Sequence, residues 1–143
     1  MADVVRSPAA PAPTAAERVF GGYLALQAVA GVAFWLILGM VPAAREWLEL
    51  MPDERQVTDA FLFADAVVIL TSAVSAWAVI GRRSWAVAAV AFTAGGLVYP
   101  TLFLVCWVAF TGDGAATLAV MVAPSSLTCW VTWQLWRSRT AST

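Results

Sequence analysis

The sequence predicts an all-α integral membrane protein, with four transmembrane helices in an up-down antiparallel bundle and both termini cytoplasmic. Three observations carry that prediction. Of 143 residues, 62% are apolar and 12% are charged, against roughly 45–50% and about 25% in a soluble domain. Four stretches reach the ~20 mostly apolar residues that a helix needs to cross a hydrocarbon core. The arginines divide unevenly between the segments that join those stretches.

The spans cover about 19–41, 60–81, 85–111 and 114–136. Three hold no Asp, Glu, Lys or Arg, and the second holds one, Asp65. In lipid each span must satisfy its backbone polar groups internally, so each is expected to be helical. None alternates with period two, which disfavours a β-barrel. The first span starts too late and runs too long for a cleaved signal peptide, so all four are expected to persist. This divides the chain into a tail over 1–14, a four-helix domain over 15–137 with an outer loop over 42–59, and a tail over 138–143.

Local signals fit this frame. The Ala- and Pro-rich stretch 1–13 reads as a loose tail. Thr14 followed by Glu17 fits a capping box, which starts the first helix near Ala15. Between Pro42 and Pro52, Trp47, Leu48, Leu50 and Met51 stand among Arg45, Glu46 and Glu49. That mixture predicts a short interfacial helix over 43–51. Asp53 with Gln56 is a candidate cap for the second span. The links at 81–84 and around Gly112-Asp113-Gly114 are short, which makes helices two, three and four antiparallel neighbours.

An even number of spans puts both ends on one side. That side then holds Arg6, Arg18, Arg82, Arg83, Arg137 and Arg139, and the other holds Arg45 and Arg55. Positive loops stay inside, so the termini and the 81–84 turn are expected in the cytoplasm. All basic residues are arginine and alanine is abundant. By association with GC-rich genomes, the expected compartment is the cytoplasmic membrane of a bacterium.

Composition also excludes. The chain has no histidine, which removes histidine-ligated haem or zinc, Ser-His-Asp catalysis and histidine proton relays. There is no P-loop, GxGxxG or CxxC motif, and neither a metal nor another cofactor is expected. A net charge of −1 offers no basic field, so nucleic acid is not an expected partner. Cys106 and Cys129 fall about 10–15 Å apart in depth by helical rise, too far for a disulfide. Both are expected to be small buried apolar groups.

Polar side chains avoid lipid and mark the faces that meet inside a bundle. At 100° per residue, Gln27 shares a face with Tyr23, Gly31 and Phe34. Asp65 shares one with Ile69, Ser72 and Ala76. Tyr99 aligns with Gly95, Gly96, Phe103 and Cys106, and Ser125 with Met121, Cys129, Thr132 and Trp136. Small-residue pairs such as Gly21/Ala25, Ser72/Ala76 and Ala91/Gly95 are candidate contact stripes. Pro100 and Pro124 are expected to bend their helices at matched depth and open a small cavity. The eight tryptophans fit interfacial belts, or in part an aromatic lining for an apolar or cationic ligand.

Asp65 is the residue to weigh. A carboxylate at the centre of a span costs roughly 2.5–3.5 kcal/mol on insertion scales, and less near an interface. Either it reaches water or an arginine such as Arg45 or Arg55, or it is a proton-donating or ligand-binding acid facing the seam. On the second reading Asp65 and Tyr99 are the candidate catalytic residues. Gln27, Phe34, Phe103, Trp107 and Ser125 are then the candidate substrate contacts. The function expected is binding or chemistry on an apolar lipid or isoprenoid, by analogy with membrane cyclases in which an acid protonates an alkene or epoxide. The alternative is a non-catalytic subunit of a membrane complex or a homo-oligomer, and a transporter or channel ranks below both. Reporter fusions test the frame: a fusion after Arg83 is expected to read cytoplasmic, and one at Asp113 external.

Overall fold

The computed structural model describes residues 12–48 and 55–141. Its elements are helices throughout: α1 (Ala15–Met40), α2 (Pro42–Leu48), α3 (Arg55–Ile80), α4 (Ala86–Thr111) and α5 (Ala115–Thr140). Four of them, α1, α3, α4 and α5, are long and apolar enough to cross a membrane. This is a small multi-pass integral membrane protein in contact with the bilayer. Its outward surface is what lipid requires, with Phe63, Phe92 and Phe110 at 80%, 67% and 89% exposure.

The ends of the helices follow from local chemistry. Thr14 and Glu17 form the expected capping box: Glu17 N–H donates to Thr14 Oγ1 at 3.2 Å, and Thr14 N–H donates to Glu17 Oε2 at 2.8 Å. Such a cap contributes about 1 kcal/mol. Pro42 has no N–H to continue α1, but it suits the first position of a new helix, and α2 begins there. A short helix therefore stands in this link as far as Leu48, while its expected end at Met51 and the Asp53 cap lie outside the described residues. Gly112 takes a left-handed φ of 80° to close α4, and Gly114 does so at 82° to open α5. Helix α5 runs past the expected end at 136, with Arg137 and Arg139 in its last turn, where cations complement the helix dipole.

The long helices pack in the order α1, α3, α4, α5, each extensively against the next, while α1 and α5 touch over a short stretch. Early residues of α1 meet late residues of α3. A Cβ on Gly31 would lie 2.6 Å from Ile69 Cγ1, and one on Gly21 would overlap the side chain of Ile80. Glycine at these two positions is what lets the backbones approach. Of the expected stripes, Ser72/Ala76 is buried. Ala25, Ala91 and Gly95 face outward instead. The apolar core gathers near the 81–85 turn, where Leu24, Val79, Val90, Val131 and Leu135 interlock. Toward the α2 end, packing gives way to a cavity.

Hydroxyls stitch the helices together. Ser75 and Thr93 share a hydrogen bond at 3.0 Å between α3 and α4. Thr101 and Ser125 share one at 2.6 Å between α4 and α5. Around the 81–85 turn, Arg82 pairs with Glu17 at 3.2 Å, and Arg139 donates to Arg83 O at 3.0 Å. Arg83 and Arg137 also lie over the Trp77 and Trp133 rings, at 4.8 and 4.7 Å. Trp77, Trp85, Trp133 and Trp136 are all exposed and form a rim at that end, the use of tryptophan typical of a membrane boundary.

The contact between α1 and α3 is directly testable. Gly21→Leu is expected to destabilise the protein by about 1–3 kcal/mol through overpacking, read as a lower unfolding temperature in detergent. A Cβ on Gly22 meets nothing within 4 Å, and Gly22→Ala is expected to be neutral.

Candidate functional site

The cavity has a volume of about 400 Å³, within the range of small-molecule sites. Helical spacing builds its wall. Tyr23, Gln27, Gly31 and Phe34 recur on one face of α1, and Phe61, Asp65, Val68 and Ser72 on one face of α3. Leu97, Pro100 and Leu104 come from α4, and Thr117, Met121 and Pro124 from α5. Both helices remain continuous across their prolines, and both prolines line the cavity. Each proline withholds the N–H that would meet the carbonyl one turn earlier, at Gly96 and Val120.

The floor is a polar network joining three helices. Ser72 Oγ donates to Val68 O at 2.7 Å, so it accepts from Gln27 Nε2 at 2.8 Å. That fixes the orientation of the Gln27 amide. Gln27 Oε1 lies 2.7 Å from the Tyr23 hydroxyl and 2.9 Å from Thr128 Oγ1. The same two hydroxyls approach Pro124 O at 3.1 and 2.7 Å and each other at 3.0 Å. Each hydroxyl carries one proton. Two donors are thus shared among more acceptors, and α1 is held to α5 by a network with alternative arrangements.

Around this floor the remaining borders differ. Trp130 packs edge-on against Phe20, with centroids 5.7 Å apart, and closes the α1–α5 seam below the network. At the α2 end, Thr117 Oγ1 donates to Leu48 O at 2.9 Å. Arg45 pairs with Asp59 across the α2–α3 junction. Helix α2 therefore roofs the cavity. Between roof and floor, Leu26 and Leu127 line the cavity while remaining 66% and 48% exposed. Ala30 and Ala123 do the same on smaller side chains. The cavity opens sideways there, between α1 and α5, onto the lipid-facing surface.

Asp65 sits in the wall toward the roof. Its Oδ2 accepts a hydrogen bond from Trp35 Nε1 at 3.0 Å, which ties α3 to α1. Arg45, one of the arginines expected near it, is paired with Asp59. The side chain of Arg55 lies outside the described set. Phe34, Trp35 and Phe61 also line the cavity, and Phe34 meets Trp35 edge to face at 5.8 Å.

The residues singled out from the sequence separate into groups. Gln27, Phe34 and Asp65 line the cavity together. Ser125 is buried behind the wall, where it bonds Thr101, Leu97 O and Met121 O. Phe103 stacks on Trp107 at 6.1 Å and packs on Phe61 at 5.8 Å, outside the cavity lining. Trp107 Nε1 is buried without a hydrogen-bond partner among the described residues.

Tyr99 departs from the expected inward face. It is 78% exposed and stands in an outer groove between α3 and α4, beside Gly95 and Gly96. Its ring tolerates lipid, and the inward face of α4 belongs to Thr93, Leu97, Pro100 and Leu104. Cys106 and Cys129 are likewise exposed rather than buried, because they lie on the same outward faces. Thr128 was not a sequence candidate. The stripe Ser125, Thr128, Val131 and Leu135, with steps of three and four, is the signal for it.

The chain matches no protein-family model, no curated protein and no solved structure. Removing the hub of the network is the direct test of the floor. Gln27→Leu is expected to cost more than Tyr23→Phe, and each lost interhelical bond about 0.6–1.7 kcal/mol. Unfolding equilibria in detergent, compared as a double-mutant cycle, measure this.

Proposed function

We propose that this protein binds, and in its catalytic form acts on, an apolar small molecule of lipid or isoprenoid type that enters from the bilayer between α1 and α5. The observation that carries the reading is the roofed cavity of about 400 Å³, open sideways and, among the described residues, apolar except for its polar floor, Thr58 and Thr117, and one carboxyl. An aqueous substrate has no use for a doorway onto acyl chains. In the catalytic form Asp65 donates a proton to an alkene or epoxide. Trp35 orients the carboxyl, and the faces of Phe34 and Phe61 stabilise the positive charge that develops. The chain is read as an up-down bundle with cytoplasmic termini, in keeping with the pairing of Gly21 with Ile80 and of Gly31 with Ile69. Helix α2 then roofs the cavity on the outer side.

A second reading, a non-catalytic subunit of a membrane complex, draws on the outer groove between α3 and α4. There Tyr99 stands exposed beside exposed Gly95 and Gly96, a shape suited to another helix. Migration after mild detergent extraction separates the two: a complex-bound chain travels with a larger partner.

For the first reading, mass spectrometry of the purified protein is expected to show a retained apolar molecule. Ala30→Trp, which fills the doorway, is expected to reduce that molecule several-fold. Asp65→Asn is expected to lower turnover of an alkene or epoxide by about 100-fold or more. Unchanged turnover would remove Asp65 from the chemistry.

A further inference from the structure

We propose that the cavity takes a cationic amphiphile, with the positive nitrogen of its head at the Asp65 carboxylate and its apolar body along the α1–α3 wall. This rests on the reading that the cavity holds an apolar molecule, and it adds the sign of that molecule's charge.

The argument is one of charge balance. Among the described residues Asp65 is the one carboxylate in the wall, and no arginine lines the cavity with it. The chain has no histidine, and all eight of its basic residues are arginine. A carboxylate withdrawn from water needs a counter-charge or several donors. Trp35 supplies one neutral donor, to Oδ2. The other oxygen, Oδ1, has no hydrogen-bond partner among the described residues. The surroundings also select for sign. The rings of Phe34, Trp35 and Phe61 share the wall with the carboxyl, and ring faces attract cations.

Other ligand classes leave something unmet. A neutral hydrocarbon leaves the carboxylate alone. A phosphate or carboxylate head meets a like charge. Apart from the floor and the hydroxyls of Thr58 and Thr117, the described wall is apolar, and the doorway opens onto lipid, which selects a head attached to a hydrocarbon body. With an ammonium head the carboxyl is ionised and the ligand is held rather than protonated, so this assignment belongs to the binding form of the reading and stands apart from the catalytic one.

The test uses the full chain in phosphatidylcholine nanodiscs, with dodecyltrimethylammonium and dodecanol as probes and empty discs as the baseline for partitioning. The expected result is that the wild type binds the ammonium at least tenfold more tightly than the alcohol. Asp65→Asn is expected to bring the two within about twofold of each other by weakening the ammonium, and Asp65→Glu to retain the preference. Equal affinities in the wild type, or a preference that survives Asp65→Asn, overturn the charge assignment. Ala30→Trp tells apart the two ways of failing. If neither probe's binding responds to it, the cavity reading itself fails and the charge assignment falls with it. If alcohol binding is lost in Ala30→Trp but the ammonium never binds better, only the assignment of charge is wrong.

Discussion

A hydrogen-bonding group inside a bilayer has no water to fall back on, and this constraint organises the bundle. The Gln27 amide meets it with partners from two other helices: Ser72 on α3 and Thr128 on α5, with the Tyr23 hydroxyl beside it on α1. Helices α1 and α5 are distant in sequence and touch little, so these few bonds, with the contact between Phe20 and Trp130, are what close the row of helices into a bundle. Without them α1 would be attached through α3 and α2 alone.

The cavity is the complement of that closure. Leu24, Val79, Val90, Val131 and Leu135 fill the bundle on one side of the network. On the other side the two outer helices are spanned by α2 rather than by each other, and no large side chain occupies the space. Gly31 brings α1 close to α3 at Ile69, so the gap falls between α1 and α5. The position of the doorway therefore follows from where small and polar residues sit on α1. The acid is held by the same scheme, because Trp35 reaches Asp65 across the α1–α3 contact that the glycines permit.

The number of long helices and the inward faces of α1 and α3 were legible in the sequence, because Gln27, Asp65 and Ser72 are costly in lipid and point to their own burial. The face of α4 was not. Tyr99 looked like a polar anchor, yet a tyrosine is mostly ring, and the structure turns it outward. The true inward group, Thr93, donates its hydroxyl to the Ala89 carbonyl one turn back. A threonine that satisfies itself in this way carries no signal of facing. The same holds for Thr128, which reaches Pro124 O on its own helix. On α5 the face was half legible: Ser125 and Met121 were placed together correctly, while Cys129 and Trp136 belong to the surface. Cys106 and Phe103, placed on the same face as Tyr99, are exposed with it, since a helical wheel anchored on one wrong residue rotates every other.

The level of the Tyr23–Thr128 closure has a geometric corollary. From Tyr23 to Trp35 the cavity follows twelve residue steps of α1, about 18 Å of a hydrocarbon core near 30 Å thick. The remainder, on the side of the tryptophan rim, is sealed by packed side chains. The cavity is thus asymmetric across the membrane: it faces the monolayer at the α2 end, and the opposite monolayer meets a closed wall. On the proposed reading, a guest would be selected first by which half of the bilayer it resides in, before any side chain reads its chemistry.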